Sequence, residues 1–465
     1  MRHYVTDVAI IGAGTGGTGA AYYLNRAGVK TLLIEADDGF GEALKGVNGF
    51  FAVESRFQRE NHNALTKKEI FEYLMEHAHW TNDARQVSDF VNRSSKVYDL
   101  LYSLGMRTET TVAYNIGAPF SWHYMDHDCP MFDAIGKAYL EEGGQLLSNA
   151  NVCSILKEND RIVGLTAVSE PDGEEIQVDA KAVIIATGEC GEVMMTFSRV
   201  EKKFVPDMAV EAGAVWAPGM TSTSCHVGGP PVPGKTGPAP GYFRQPHMLA
   251  VNSDGDRFTN EFIIHAMDEA ANAMLAQKGG VAYLIVSDEI NEVLLQDGWT
   301  SFKYKMPGDN DPGSSLEADM RSAEVTDPGI YFVAESVEEL CEKTGLDPAA
   351  FRRTLDEYNA MCRSGRDTLF FKDSRYLIPF TSEKFYVAKV VAKSTPGPGV
   401  LKVNHKTECL DAQGNAIPGL YAVGGISSTL NGFFYTHVCA GSRATFGVTS
   451  GMVASEYIPE YLKTL

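Results

Sequence analysis

The stretch Gly12-Ala13-Gly14-Thr15-Gly16-Gly17 constrains this chain more than any other, because it lies between an apolar run, "VAII", and a segment with Ala, Tyr and Leu at helical spacing, "AAYYLNR". Gly12, Gly14 and Gly17 read G-x-G-x-x-G. The first permits a tight turn, the second lets the backbone approach a pyrophosphate, and the third lets helix and strand pack closely. The helix that follows would present its free N–H groups and positive dipole end to phosphate. "TLLIE" predicts a second strand ending at Glu35, at the offset where a carboxylate accepts from ribose hydroxyls. Strand, turn, helix and strand make a βαβ unit of a dinucleotide-binding α/β fold.

A chain of 465 residues is long for one core, since single cores stop growing near roughly 250–300 residues. Two compact units are expected. The pattern is helical from about Thr66 to Leu104 and closes at Gly105 as a helix C-cap does. "GQLLSNANVCSIL", "RIVGLTAV" and "EIQVDAKAVIIATG" alternate like antiparallel strands, the last apolar enough to lie centrally in a sheet. After Trp216, "GGPPVPGKTGPAPG" opens a region read as mixed helices and loops to about Glu383. "FYVAKVVA" and "IPGLYAVGG" then return to strand character and "ATFGVTSGMVASEYI" to a helix, which predicts one α/β domain interrupted by an insertion.

The net charge of -20, from 60 acidic against 40 basic residues without a dense Lys/Arg block, argues against nucleic acid or an anionic membrane as partner. Eight cysteines without a C-x-x-C pair read as reduced thiols of a cytoplasmic protein, and no metal site is expected. "MRHYVTD" leaves no room for a signal sequence, and no apolar stretch approaches membrane-spanning length.

"VIIATG" and "GLYAVGG" resemble strand ends that touch FAD in two-dinucleotide-fold flavoproteins. "GDRFTNEF", "AYLIVSDE", "SVEELCEKTGLDPAAFRRTLDEYNAMCRSGRD" and "IPGLYAVG" resemble, in order and spacing, the flavoprotein family of fumarate reductase and succinate dehydrogenase, which includes urocanate reductase and the ketosteroid dehydrogenases. The resemblance covers nearly the whole chain. It implies a Rossmann-like FAD domain at 1–218 and 386–465, interrupted by an inserted α+β capping domain at 219–385 that closes over the flavin. It further implies FAD contacts from Gly12, Ala13, Gly14, Thr15, Gly16, Gly17, Glu35, Ala36, Ala43, Asn48, Gly49, Val152, Ala186, Thr187, Gly188, Gly424, Gly441, Arg443 and Ala444. No histidine sits in "GVNGFFAVES" to tether the flavin, so noncovalent FAD is expected.

The chain also departs from that family. Fumarate reductases hold a dicarboxylate with two histidines and two arginines, and one arginine delivers a proton. His265 stands at that arginine's position, Val438 at the other's, "KSTPGPG" replaces one histidine, and "WAPGMTSTSC" lacks the other. Without these anchors a dicarboxylate would bury unpaired charge at a cost of several kcal/mol. Tyr435 or His437, depending on the direction of counting, falls where ketosteroid dehydrogenases carry a tyrosine that polarises the substrate carbonyl, and the Gly441 N–H is a second donor. His265, as a histidine of near-neutral pKa, is read either as the proton relay or as a structural replacement. Phe50, Phe51, Trp122 and Tyr124 are read as an aromatic substrate pocket, with core packing as the alternative.

The expected activity is therefore that of an FAD-dependent oxidoreductase acting on a CH–CH bond. It would reduce a conjugated C=C of a neutral or aromatic small molecule, such as an enone, steroid or phenylpropenoid, by hydride transfer from flavin N5 plus protonation. Desaturation by a dehydrogenase or oxidase, and a non-catalytic flavin electron-transfer role, are the alternatives. The chain carries no haem motif or appended FMN domain, so a separate electron donor is expected.

Overall fold

The computed structural model describes residues 1–40, 49–112, 119–125, 133–188, 205–217, 222–227, 239–265, 267–298, 316–395, 400–432 and 439–465. Strand β1 (Arg2–Ile11), helix α1 (Thr15–Arg26) and strand β2 (Thr31–Ile34) form the expected βαβ unit, with β1 and β2 parallel from Val8↔Thr31 to Ile11↔Ile34. They belong to an eight-stranded sheet. Glu175–Ile185 runs parallel to β1 and Gln145–Leu147 parallel to β2, while Ala416–Ala422 lies parallel on the far side of Glu175–Ile185. Ala150–Glu158, Arg161–Ser169 and Glu175–Ile185 form the expected antiparallel meander. The last of these is central. It alternates buried and exposed residues at first and is wholly buried from Ala182 to Ile185, where sheet neighbours lie on both edges.

The helical stretch expected from Thr66 to Leu104 is two helices, Lys67–His77 and Ala84–Ser103. His79 and Trp80 take positive φ of 48° and 58°, which breaks the ladder, and Asp83 caps the second helix by accepting from the Arg85 and Gln86 amides. Gly105 ends it at φ 93°, as expected.

The region after Trp216 is richer in strands than expected. Ser222–Val227, Leu249–Asn252, Val281–Val286 and Tyr331–Ala334 join Phe385–Thr395 in a five-stranded antiparallel sheet. "FYVAKVVA" thus pairs with the inserted strands and not with the main sheet, so the border expected at 385/386 falls where this shared strand begins. One core runs from Tyr242 to Val390 without a residue of the main sheet, and the main sheet has its own cores on both faces. A short antiparallel ribbon, Trp216↔Leu401 and Ala217↔Val400, stands where the chain leaves and rejoins the larger sheet. Among the described residues no helix is long and apolar enough to cross a membrane.

Candidate functional site

Gly12 has φ 103°, and a Cβ there would sit 2.6 Å from the Ala186 carbonyl oxygen. A Cβ on Gly17 would fall on the Gly12 carbonyl oxygen. Both positions exclude a side chain through backbone contact. Gly14 differs, since among the described residues a Cβ there meets no heavy atom within 4 Å, and the same holds at Gly188. Gly12 and Gly17 are thus closed by backbone, while Gly14 is open on its Cβ side among the described residues. The first-turn amides of α1 have no intrahelical partners, and Gly14 brings no capping side chain to them. That donor set fits a pyrophosphate.

Glu35 closes the turn from the other side. Its carboxylate accepts from the amides of Ala13 at 2.6 Å, Ala36 at 2.8 Å and Asp37 at 3.1 Å. Three donors leave about one of its roughly four lone-pair sites for a ribose hydroxyl. The Ala150 amide donates to the Glu35 carbonyl, which sets buried Val152 on the strand beside it.

Three backbones converge on the start of α1. A Cβ on Gly16 would lie 3.2 Å from Gly424 Cα, and one on Gly447 would meet Thr15 Oγ1. The Gly424 amide donates to Ser450 Oγ at 2.9 Å. Gly441, at φ 77°, opens the last helix, Ser442–Leu462, which also carries Arg443 and buried Ala444. A Cβ on Gly441 would lie 2.6 Å from Phe50 Cα. Thr445 Oγ1 donates to the Phe51 carbonyl at 2.8 Å and accepts from its amide at 3.1 Å. Gly447, Thr445 and Ser450 escaped the sequence reading, although Gly447 and Gly451, four apart on one helix face, signal a close helix contact. Of the expected cofactor contacts, Ala43 and Asn48 lie outside the described residues, while Gly49 pairs with Tyr124 in a three-stranded sheet.

The four aromatic residues lie on two paired strands, Gly49–Phe51 and Trp122–Met125. Phe50 stacks on His123 with centroids 5.3 Å apart, and Phe51 stacks on Phe90 at 4.8 Å. Both rings are core, at 1% and 0% exposure, because neighbouring helices cover the strand that bears them. Trp122 and Tyr124 share one strand face with centroids 6.1 Å apart, and Trp122 packs with Val112 and Ala440. Between them His123, on the opposite face, is held by Ser55 Oγ at 2.7 Å and the Ser121 carbonyl at 3.1 Å.

His265 ends a one-turn 3₁₀ helix, Glu261–His265, and is 4% exposed. Burial first, and the nearby His247 second, push it down to about 4, so the near-neutral group expected there is a neutral imidazole at pH 7. Its Nε2 has no hydrogen-bond partner among the described residues. A buried polar atom left so costs about 1–3 kcal/mol. The helix that His265 ends begins at Glu261, in a buried ionic network. Glu261 accepts from Arg257 Nε and Nη2, each at 2.7 Å, and Arg257 Nη2 also reaches Asp367 at 2.7 Å. Lys372 Nζ sits 3.3 Å from Glu261 and donates to the Met248 carbonyl and Tyr358 hydroxyl. Burial opposes the Glu261 charge, but Lys372 and Arg257 hold its carboxyl below the usual range. Two cations thus face two carboxylates, equal in number, although the Arg257 Nη1 group has no partner among the described residues. Tyr435 and His437 lie outside the described residues.

A model of the FAD binding domain family matches residues 7–437. The chain belongs to the FAD binding domain family. FAD is its cofactor, and the protein is an FAD-dependent oxidoreductase. Relatives include the vinyl phenol reductase of Lactiplantibacillus plantarum, 24% identical over 98% of this chain and 97% of that protein. The probable fumarate reductase Ifc3 of Shewanella frigidimarina is 26% identical over 92% of this chain and 71% of that protein. The crystal structure of 3-ketosteroid-Δ4-(5α)-dehydrogenase from Rhodococcus jostii RHA1 matches with a TM-score of 0.73 at 20% identity, covering 98% of both chains, a likeness of fold. In this member of the FAD binding domain family, the Gly12–Gly17 turn packs against Ala186 and Gly424 with Glu35 accepting from the Ala13 amide, and these residues would hold the dinucleotide.

Proposed function

We propose that this protein reduces a conjugated C=C of a neutral substrate carrying a carbonyl or an aromatic hydroxyl, of enone, steroid or phenylpropenoid type. Noncovalently bound FAD supplies the hydride chemistry. The inserted unit, entered after Ala217 and left before Val400, covers the flavin and carries His265 to the reacting carbons. There His265 acts as a neutral hydrogen-bonding group. Burial removes it as a ground-state acid near pH 7, so proton delivery falls to Tyr435 or His437. Trp122 and Tyr124 flank the substrate.

The observation that carries this reading is the neutral, buried His265 on a helix that begins in an ionic network already balanced in number. A dicarboxylate needs cations with charge to spare, whereas an uncharged conjugated system needs donors and apolar walls. The vinyl phenol reductase match over nearly the full length of both chains supports the same class. The test is anaerobic reoxidation of the reduced protein by 4-vinylphenol, benzylideneacetone and fumarate. Neutral acceptors are expected to reoxidise it, with fumarate at least about a hundredfold slower, as a few kcal/mol of unpaired charge requires. Fumarate turnover at a comparable rate overturns the proposal.

A further inference from the structure

His247 has no place in the function described so far, yet it is 2% exposed and its Nδ1 has no hydrogen-bond partner among the described residues. It is joined to His265 by a line of rings. His247 meets Tyr376 edge-on at 5.0 Å, Tyr376 lies 5.9 Å from Phe262, and Phe262 meets His265 edge-on at 5.0 Å. The two histidines thus belong to one aromatic cluster, and each buries one orphaned ring nitrogen.

Their backbones are fixed by the same ionic network. Lys372 donates to the carbonyl of Met248, next to His247, and lies beside Glu261, which opens the short helix ending at His265. Glu261 also accepts from the Ala250 amide at 3.3 Å. Neither histidine segment moves without disturbing the other. Burial and the Lys372 ammonium oppose protonation of His247, against a weaker pull from Asp297, and burial and His247 oppose it at His265. Each ring therefore offers one N–H and one lone pair. Native proteins seldom leave two such atoms unsatisfied in one cluster, and an uncharged ligand oxygen satisfies them without bringing charge into the interior.

We propose that His247 and His265 together bind an uncharged oxygen of the substrate, a phenol hydroxyl or a conjugated carbonyl, and that His247 is thereby a specificity-determining residue. This rests on the neutral-substrate reading above and names the second side chain that enforces it.

The test measures binding to the oxidised holoprotein through perturbation of flavin absorbance, independently of turnover. Two probe pairs separate the oxygen types: 4-ethylphenol against ethylbenzene, and benzylideneacetone against β-methylstyrene. Wild type is expected to prefer the oxygen-bearing member of at least one pair by about tenfold or more. In His247→Phe that preference should fall to within about threefold, while His247→Gln, which restores an N–H, recovers part of it. Wild-type preference should be level between pH 6 and 8, because neither ring changes charge there. Equal affinity within both pairs in wild type, or an undiminished preference in folded His247→Phe, overturns the proposal. The reoxidation test reads separately, since an intact oxygen preference with fast fumarate turnover sinks the functional reading alone.

Discussion

Lys372 Nζ lies 3.3 Å from Glu261 Oε2, and neither side chain reaches solvent. The contact ties the strand Leu249–Asn252 and its His247 approach to the helix that ends at His265. Removing one member of a buried, balanced set leaves a charge without its counterion. Lys372→Met is expected to cost about 3–5 kcal/mol in urea unfolding. Adding Glu261→Gln should recover part of that loss by removing the stranded charge. A single variant as stable as wild type would show that the network carries no net electrostatic load.

The two motif glycines should fail differently. Gly14→Val should keep the fold and lose FAD, because its side chain enters the open space where the pyrophosphate approaches. Gly17→Val should lose the fold, since its Cβ collides with the Gly12 carbonyl between helix and strand. Circular dichroism with flavin content after gel filtration separates the outcomes, and identical behaviour of both variants contradicts the division of roles.

Acidification should destabilise the protein before its carboxylates titrate. His123, His247 and His265 are each pushed from the model-peptide value of 6.5 to about 4, mainly by burial. A depressed folded pKa means the unfolded chain binds the proton first. The stabilisation is full above about pH 6.5 and drains away as pH falls toward 4. The loss is on the order of 2 kcal/mol per histidine by pH 5. Urea midpoints at pH 7.5, 6 and 5 should fall in that order; a flat profile means the three rings are not neutral in the folded state.

Tyr435→Phe and His437→Ala should differ sharply if, as proposed, one of the two is the donor that delivers the proton. Losing a preorganised donor costs about 2.7–4 kcal/mol, a drop of roughly a hundred- to a thousandfold in the reoxidation rate. His265→Ala should retain FAD and lower turnover through weaker substrate binding. If all three folded variants react within a fewfold of wild type, the chemistry lies elsewhere.

Acid precipitation should leave yellow FAD in the supernatant. Flavin that stays with the pellet would show a covalent tether.

Some of this was legible in the residues because it is local. A tight turn demands glycine at Gly12 whatever surrounds it, a strand-to-helix order follows from apolar spacing, and Gly105 ends a helix by its own φ. The aromatic pair Phe50 and Phe51 could not be judged that way, because successive strand residues face opposite sides and only the packed helices settle that both faces are covered. The same holds for Phe385–Thr395, whose alternation identifies a strand but not its neighbours. Strand partners are chosen by long-range pairing and burial, which put it in the inserted sheet. His265 was visible by position, yet its charge state was not, because a pKa is set by the depth of burial and by His247, eighteen residues away. The sequence by itself determined the strand–turn–helix–strand unit and its glycine at Gly12. Tertiary packing alone decided that His247 and His265 are buried and uncharged, because desolvation acts on atoms brought together in space.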